Sequence, residues 1–249
     1  MSRVVAPPTV VCDTREQTPW IASVRRDGRR ILLPVVRRAL VAGDYTIEGY
    51  GHEIAIERKS LADWIGTMFG SSTDALGERA TSWERFRREL ARALEGVEPT
   101  NGDAPTPPLK RFVVLVEASR ADVYEHRYRS GVLPQSVIGR SDSVLADYGV
   151  PVLWASAPAV LDHRNDWSFA AAREEQERLA MWTLVRWWER REMEKGATAG
   201  EITKAFKLAE RGAPEPALDT RVPAGMRPIA EQYDAPTLGT AAGRRKRSA

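Results

Sequence analysis

Between Arg111 and Glu117 the chain runs through five consecutive apolar residues, Phe112-Val113-Val114-Leu115-Val116, and a run so short and so rich in β-branched residues belongs to a strand covered on both faces. Such a strand needs a layer of helix on each side. The flanking sequence supplies both strands and helices. Thr9-Val10-Val11-Cys12 reads as a buried strand that delivers Asp13 to its end. After a basic turn at residues 25–30, residues 31–36, 39–41 and 45–47 read as strand material in a meander broken by Pro34 and Gly43. Residues 52–56 form a strand closed by Glu57-Arg58-Lys59, and Ser60 opens a helix whose apolar face is Leu61, Trp64, Ile65 and Met68. A loop of small residues at 70–77 leads to a second amphipathic helix carrying Trp83, Phe86, Leu90, Leu94 and Val97. A turn-rich loop at 99–108 precedes the buried strand; helical segments follow at 121–129 and 135–148, the latter stopped by Gly149, and residues 150–155 form another buried strand. Strands and helices alternate, so the fold class is α/β.

Residues 168–194 read as one long helix in which Leu179, Trp182, Val185, Trp187 and Trp188 are too apolar to face water alone. It packs either on the sheet or on a second subunit. Residues 201–210 are helical, and from 212 onward Pro, Gly, Ala and charge predict a disordered basic tail ending in Arg244-Arg245-Lys246-Arg247. With 249 residues, 43% of them hydrophobic and 29% charged, the chain is expected to hold one good-sized domain with appendages. These divide as 9–160 for the core domain, 161–211 for a helical extension and 212–249 for the tail.

No apolar run approaches the ~20 residues that span a bilayer. The first residues lack a secretory leader, so the expected location is cytoplasmic, with no membrane partner. Cys12 alone cannot form an internal disulfide or a cysteine zinc site, and His52, His126 and His163 are widely separated. Any metal would therefore sit on carboxylates. The net charge is only +3, but Arg greatly outnumbers Lys among the 37 basic residues, and guanidinium groups suit phosphate. This makes nucleic acid a partner to consider, beside the simpler reading of a solvated, Arg-favouring surface. On the second helix Arg85, Arg87, Arg88 and Arg92 have a solvated face as their simplest reading, with Arg85 and Arg88 the candidates for phosphate contact.

An acid two positions before a lysine, as in Glu57-Arg58-Lys59, is a pattern that chance supplies roughly once in a chain of this composition. Its context carries more weight. In a strand, residues two apart share a face, so Glu57 and Lys59 project together at a strand end. Gly43-Asp44, on the preceding strand segment, can bring a second carboxylate beside Glu57. Two hard oxygen donors with room for water and phosphate suit Mg²⁺ or Mn²⁺, and a neighbouring ammonium can orient a water or balance charge on a phosphorane-like transition state.

These blocks resemble a known family. Asp13-Thr14-Arg15-Glu16, Gly43-Asp44-Tyr45 and Glu57-Arg58-Lys59-Ser60-Leu61-Ala62-Asp63 are similar to the signature of the XPF-type nuclease domain. That domain belongs to the restriction-endonuclease-like PD-(D/E)XK superfamily. The resemblance implies a mixed central sheet flanked by helices, and a Mg²⁺-dependent endodeoxyribonuclease that cuts branched DNA such as flaps, forks and junctions. It makes Asp44 and Glu57 metal ligands, with the Arg58 carbonyl completing the set, and gives Lys59 to the attacking water. Asp13 and Glu16 would line the same pocket, and Arg15 and Arg58 would hold phosphate or pin the carboxylates. Asp13 also fits a strand-end turn. Asp63 stands three residues after Ser60, where it completes a helix cap as readily as it serves a site.

Many members of that family carry a tandem helix-hairpin-helix module after the nuclease domain, and residues 196–249 are too polar and Pro-interrupted to build one. DNA engagement would then come from the nuclease domain alone, from a homodimer or from a partner protein, and the long Trp-bearing helix is the candidate surface. The alternative function is a non-catalytic nuclease-fold subunit that binds DNA for a partner.

Overall fold

A computed structural model of the chain describes residues 4–73, 79–96, 107–155 and 167–212. Six strands make a mixed central sheet: β1 (Val10–Cys12), β4 (Val35–Arg37), β5 (Tyr45–Ile47), β6 (Ile54–Ser60), β9 (Arg111–Glu117) and β10 (Val152–Trp154), in the spatial order β10-β9-β6-β5-β1-β4. β6, β9 and β10 run parallel, β5 is antiparallel to both β6 and β1, and β4 is parallel to β1. The apolar run of β9 is buried throughout, as its composition demands. Val113 and Leu115 belong to one core, while Phe112, Val114 and Val116 belong to the other.

The second of these cores is closed by four helices: α1 (Leu61–Phe69), α2 (Ser82–Glu95), α3 (Arg120–Tyr124) and α4 (Pro134–Tyr148). α1 turns its four predicted apolar residues inward and is capped by Ser60, whose hydroxyl accepts the Asp63 amide. α2 buries Phe86, Leu90 and Ala93 and opens with a full capping box between Thr81 and Glu84. The first core is closed by α5 (Trp167–Glu194), α6 (Ala199–Gly212) and a hairpin of β2 (Ser23–Arg26) and β3 (Arg29–Leu32). α5 contributes Ala180, Met181, Leu184, Val185 and Trp188 to this core, with Trp187 packed on its margin and Trp182 turned outward.

Several expectations change. The basic turn at 25–30 is a hairpin whose turn is only Asp27-Gly28, both at positive φ (49° and 76°), and its arginines lie in strands. Residues 39–41 form no strand, because the Leu40 amide is given to the Asp13 carboxylate instead of to a ladder. The loop at 70–77 begins with β7 (Ser71–Thr73), paired with β8 (Arg79–Thr81). The helix at 121–129 is the short α3. Val97, most of the 99–108 loop and the basic tail lie outside the described residues. Among the described residues no helix is long and apolar enough to cross a membrane.

Candidate active site

The strand pairing gathers three carboxylates at one end of the sheet. Cys12 of β1 faces Tyr45 of β5, and Tyr45 faces Ile56 of β6. One residue beyond that rung stand Asp13, Asp44 and Glu57. The backbone continues the ladder there, with the Asp13 amide donating to the Asp44 carbonyl and the Asp44 amide to the Ile56 carbonyl, each at 2.8 Å. Gly43 permits this approach: it sits at φ +73°, and a Cβ there would lie 3.0 Å from both the Ala55 Cβ and the Ile56 carbonyl oxygen.

The three carboxylates are in different states. Asp13 is fully buried, and both its oxygens are taken. Oδ1 accepts from the Arg15 amide (2.7 Å) and Arg15 Nε (2.8 Å), and Oδ2 accepts from the Leu40 amide (2.7 Å) and Arg15 Nη2 (3.1 Å). These bonds, led by the Arg15 guanidinium, hold its pKa at about 2. Asp44 has one oxygen engaged, Oδ2 accepting the Arg58 amide at 2.8 Å. Burial and then the nearby Glu57 charge push its pKa up to about 7. Burial likewise pushes Glu57 upward, against the pull of Lys59, whose Nζ lies 2.5 Å from Glu57 Oε1. Burial works against the charge on Lys59, but its attraction to Glu57 outweighs this, so the ammonium holds its proton more firmly than an ordinary lysine. Arg15, mostly exposed, adds a positive charge felt by Asp44 and Glu57.

Alternation along β6 puts Arg58 on the other face of the sheet. There its Nε donates to Glu117 Oε1 (2.7 Å) and its Nη1 to the Thr18 carbonyl (2.8 Å), with Glu16 Oε1 at 3.1 Å from Nη1. The guanidinium also covers the Trp20 ring at 4.9 Å. Glu16 is thus an Arg58 partner on that face, and the Arg58 fork is occupied by protein groups. Asp63 caps α1, accepting the Ser60 hydroxyl at 2.6 Å. Arg85 and Arg88 are exposed on α2.

Of the residues named from sequence, the structure brings together Asp44, Glu57 and Lys59, with Asp13 and Arg15 beside them. Strand alternation turns the Arg58 side chain, with Glu16, to the other face; Asp63 is engaged in the cap of α1, and Arg85 and Arg88 are exposed on α2. Sequence reasoning missed Glu117, which ends β9 opposite Ser60 of β6. It also missed Glu89 of α2, whose charge acts on both Glu57 and Lys59, and Arg37, which donates to the carbonyls of Asp13, Thr14 and Glu16 and so fixes the turn after β1.

Among the described residues no group of three or more His, Cys, Asp or Glu is arranged to hold a metal ion. The donor set at this rung is a pair, Asp44 and Glu57. Its chemistry suits a hard divalent cation: two crowded carboxylates, one with an uncommitted oxygen and a raised proton affinity, are relieved by a charge between them. The Arg58 carbonyl leaves β6 on the same edge as the amide bonded to Asp44, because a strand residue turns both groups to one side.

A family model described as the ERCC4 domain matches residues 12–160. That span starts at the end of β1 and contains both carboxylate groupings. No curated protein matches the chain in sequence.

Proposed function

We propose, from the premise that the chain belongs to the ERCC4 domain family and so carries a nuclease domain that acts on DNA, that it is a metal-dependent endonuclease hydrolysing phosphodiester bonds in branched DNA. The observation that carries this reading is the rung itself: Asp44 and Glu57 adjacent, under-compensated and raised in pKa, with the Lys59 ammonium against them. Perturbed carboxylates of this kind favour a functional centre over a structural ion pair.

Asp44, Glu57 and the Arg58 carbonyl would hold Mg²⁺ or Mn²⁺. Such an ion supplies polarisation of the phosphate and activation of water at neutral pH. The chain's own part is positioning and charge. Lys59, kept protonated by Glu57, places Nζ where negative charge grows on the phosphate and can orient the attacking water through a hydrogen bond. Arg15, pinned to Asp13, holds a second cation beside the pair without needing to reorganise. Arg58 works from the opposite face: locked between Glu16 and Glu117, it fixes the strand whose amide aligns Asp44. Residues 9–160 would form the cutting unit, with α5 and α6 bracing its far face.

The test is cleavage of end-labelled flap, fork, junction and duplex DNA with Mg²⁺ or Mn²⁺. Wild type should cut branched substrates, and Glu57→Ala and Lys59→Ala should each lose at least about 100-fold in rate. DNA binding with no product over long incubation would instead assign a non-catalytic subunit. Full activity in Glu57→Ala would remove the basis of the proposal.

A further inference from the structure

A cavity of about 220 Å³ opens beside the Asp44 rung. Its floor is Val11 and Thr46, which alternate with the Val10, Cys12, Tyr45 and Ile47 of the opposite core and so face the side of the sheet that carries Glu57 and Lys59. One wall is Leu40, Val41 and Ala42, and the other is Ala93 of α2 with Leu109. The charged groups around it are unequal in sign: Arg38 and Arg92 against Glu48, the single carboxylate lining it among the described residues. Arg38 already pairs with Glu48 at 3.0 Å, and Arg92 is exposed.

The wall next to the site is continuous with it. Leu40 gives its amide to Asp13, and Ala42 is two residues before Asp44, no more than about 7.6 Å away along the backbone. The near edge of the cavity therefore lies about one residue-sized step from Asp13 and Asp44, and its far edge reaches His52. Apolar walls give an inorganic anion nothing to pack on, and the excess of guanidinium disfavours a cation. The volume is below the roughly 300–1,000 Å³ of pockets for drug-sized ligands, which leaves room for one ring system. A base packed between aliphatic walls, with its phosphate toward arginine, fits the size, the apolar walls and the charge balance of the cavity.

We propose that this cavity takes one unstacked nucleotide of the strand being cut, next to the scissile phosphate. The inference rests on the nuclease reading above and adds to it the origin of selectivity. A base can enter only where the strand is unpaired, so the cavity would select single-strand to double-strand transitions without a separate helix-hairpin-helix module.

The experiment uses the full chain in metal-free buffer, with flap and duplex oligonucleotides carrying 2-aminopurine at successive positions around the cut. The expected result is a change in emission at one position of the flap only. In the double variant Arg38→Ala/Arg92→Ala that change should disappear, with about a tenfold loss of flap affinity and duplex affinity within twofold of wild type. Both side chains are exposed, so the fold should tolerate their loss; Val41→Trp, at another exposed position, should block the mouth and give the same pattern. If the variants keep the positional signal and flap affinity while wild type binds and cuts DNA, the cavity proposal is overturned and the nuclease reading stands. If they change only the melting temperature, the cavity serves the chain's own packing, which also overturns it. A wild-type chain that neither binds nor cuts DNA would overturn both.

Discussion

The two faces of β6 carry the same residue types in opposite electrostatic states. On one face Glu16 and Glu117 close on Arg58, and each carboxylate has a guanidinium nitrogen within 3.1 Å. On the other face Asp44 and Glu57 crowd each other, and the ammonium of Lys59 is committed to Glu57. The first grouping is complete and holds the fold. The second stores repulsion that a divalent cation would relieve. Charge is therefore buried twice on one strand, once fully paired and once left under-compensated, and a backbone hydrogen bond from Arg58 to Asp44 couples the two.

The comparison breaks first if Arg58 proves dispensable. Arg58→Met should lower unfolding free energy by about 3 kcal/mol, because it leaves two half-buried carboxylates uncompensated; urea denaturation would measure it, and a cost below about 1 kcal/mol would mean that the clamp is not structural.

The opposite sign is expected across the strand. Asp44 has a folded pKa of about 7 against 3.8 ordinarily, so it favours the fold while protonated, and that contribution is lost as pH rises through 7. In metal-free buffer at pH 8, Asp44→Asn should be more stable than wild type, on the order of 2–4 kcal/mol. Calorimetric melting from pH 4 to pH 8 would test this, with the slope flattened in the variant.

Asp13 sharpens the contrast, being a carboxylate on the Asp44–Glu57 rung that behaves like the clamp. Its folded pKa of about 2 lies below the ordinary 3.8, so its stabilisation is present above 3.8 and lost as pH falls through 2. Asp13→Asn should cost about 2 kcal/mol at pH 7, a difference that closes as pH falls from 3.8 through about 2; urea denaturation of both proteins at pH 7 and again at the acid end of that window reads it.

The smallest effect is expected at the surface. Arg85→Ala and Arg88→Ala should leave stability unchanged, and each should reduce the salt dependence of DNA binding by about one counterion if it touches a phosphate. Fluorescence titrations at several salt concentrations would separate contact from solvated face.

Much of this arrangement was readable because it is local. Period-two alternation alone places Glu57 with Lys59, and the Gly43-Asp44 pair marks a close approach that only glycine permits. The same alternation also puts Arg58 on the opposite face, although family resemblance drew attention to its part in the site. What could not be read is non-local: Glu117 meets Arg58 only because β6 and β9 pair in parallel across 59 residues, and Glu89 reaches the pair only through the packing of α2. Residues 39–41 have strand composition, but an unmet buried carboxylate at Asp13 claimed the Leu40 amide. The β2–β3 hairpin was missed because charge at 25–30 masked an Asp-Gly turn signal.

The most direct measurement is calorimetric titration of Mn²⁺ into the DNA-free chain at pH 6, in two buffers of different ionisation enthalpy. Wild type should release about one proton per ion bound, as the cation displaces it from Asp44, and Asp44→Asn should lose that release together with most of the affinity. Equal Mn²⁺ affinity in wild type, Asp44→Asn and Glu57→Gln would contradict the account.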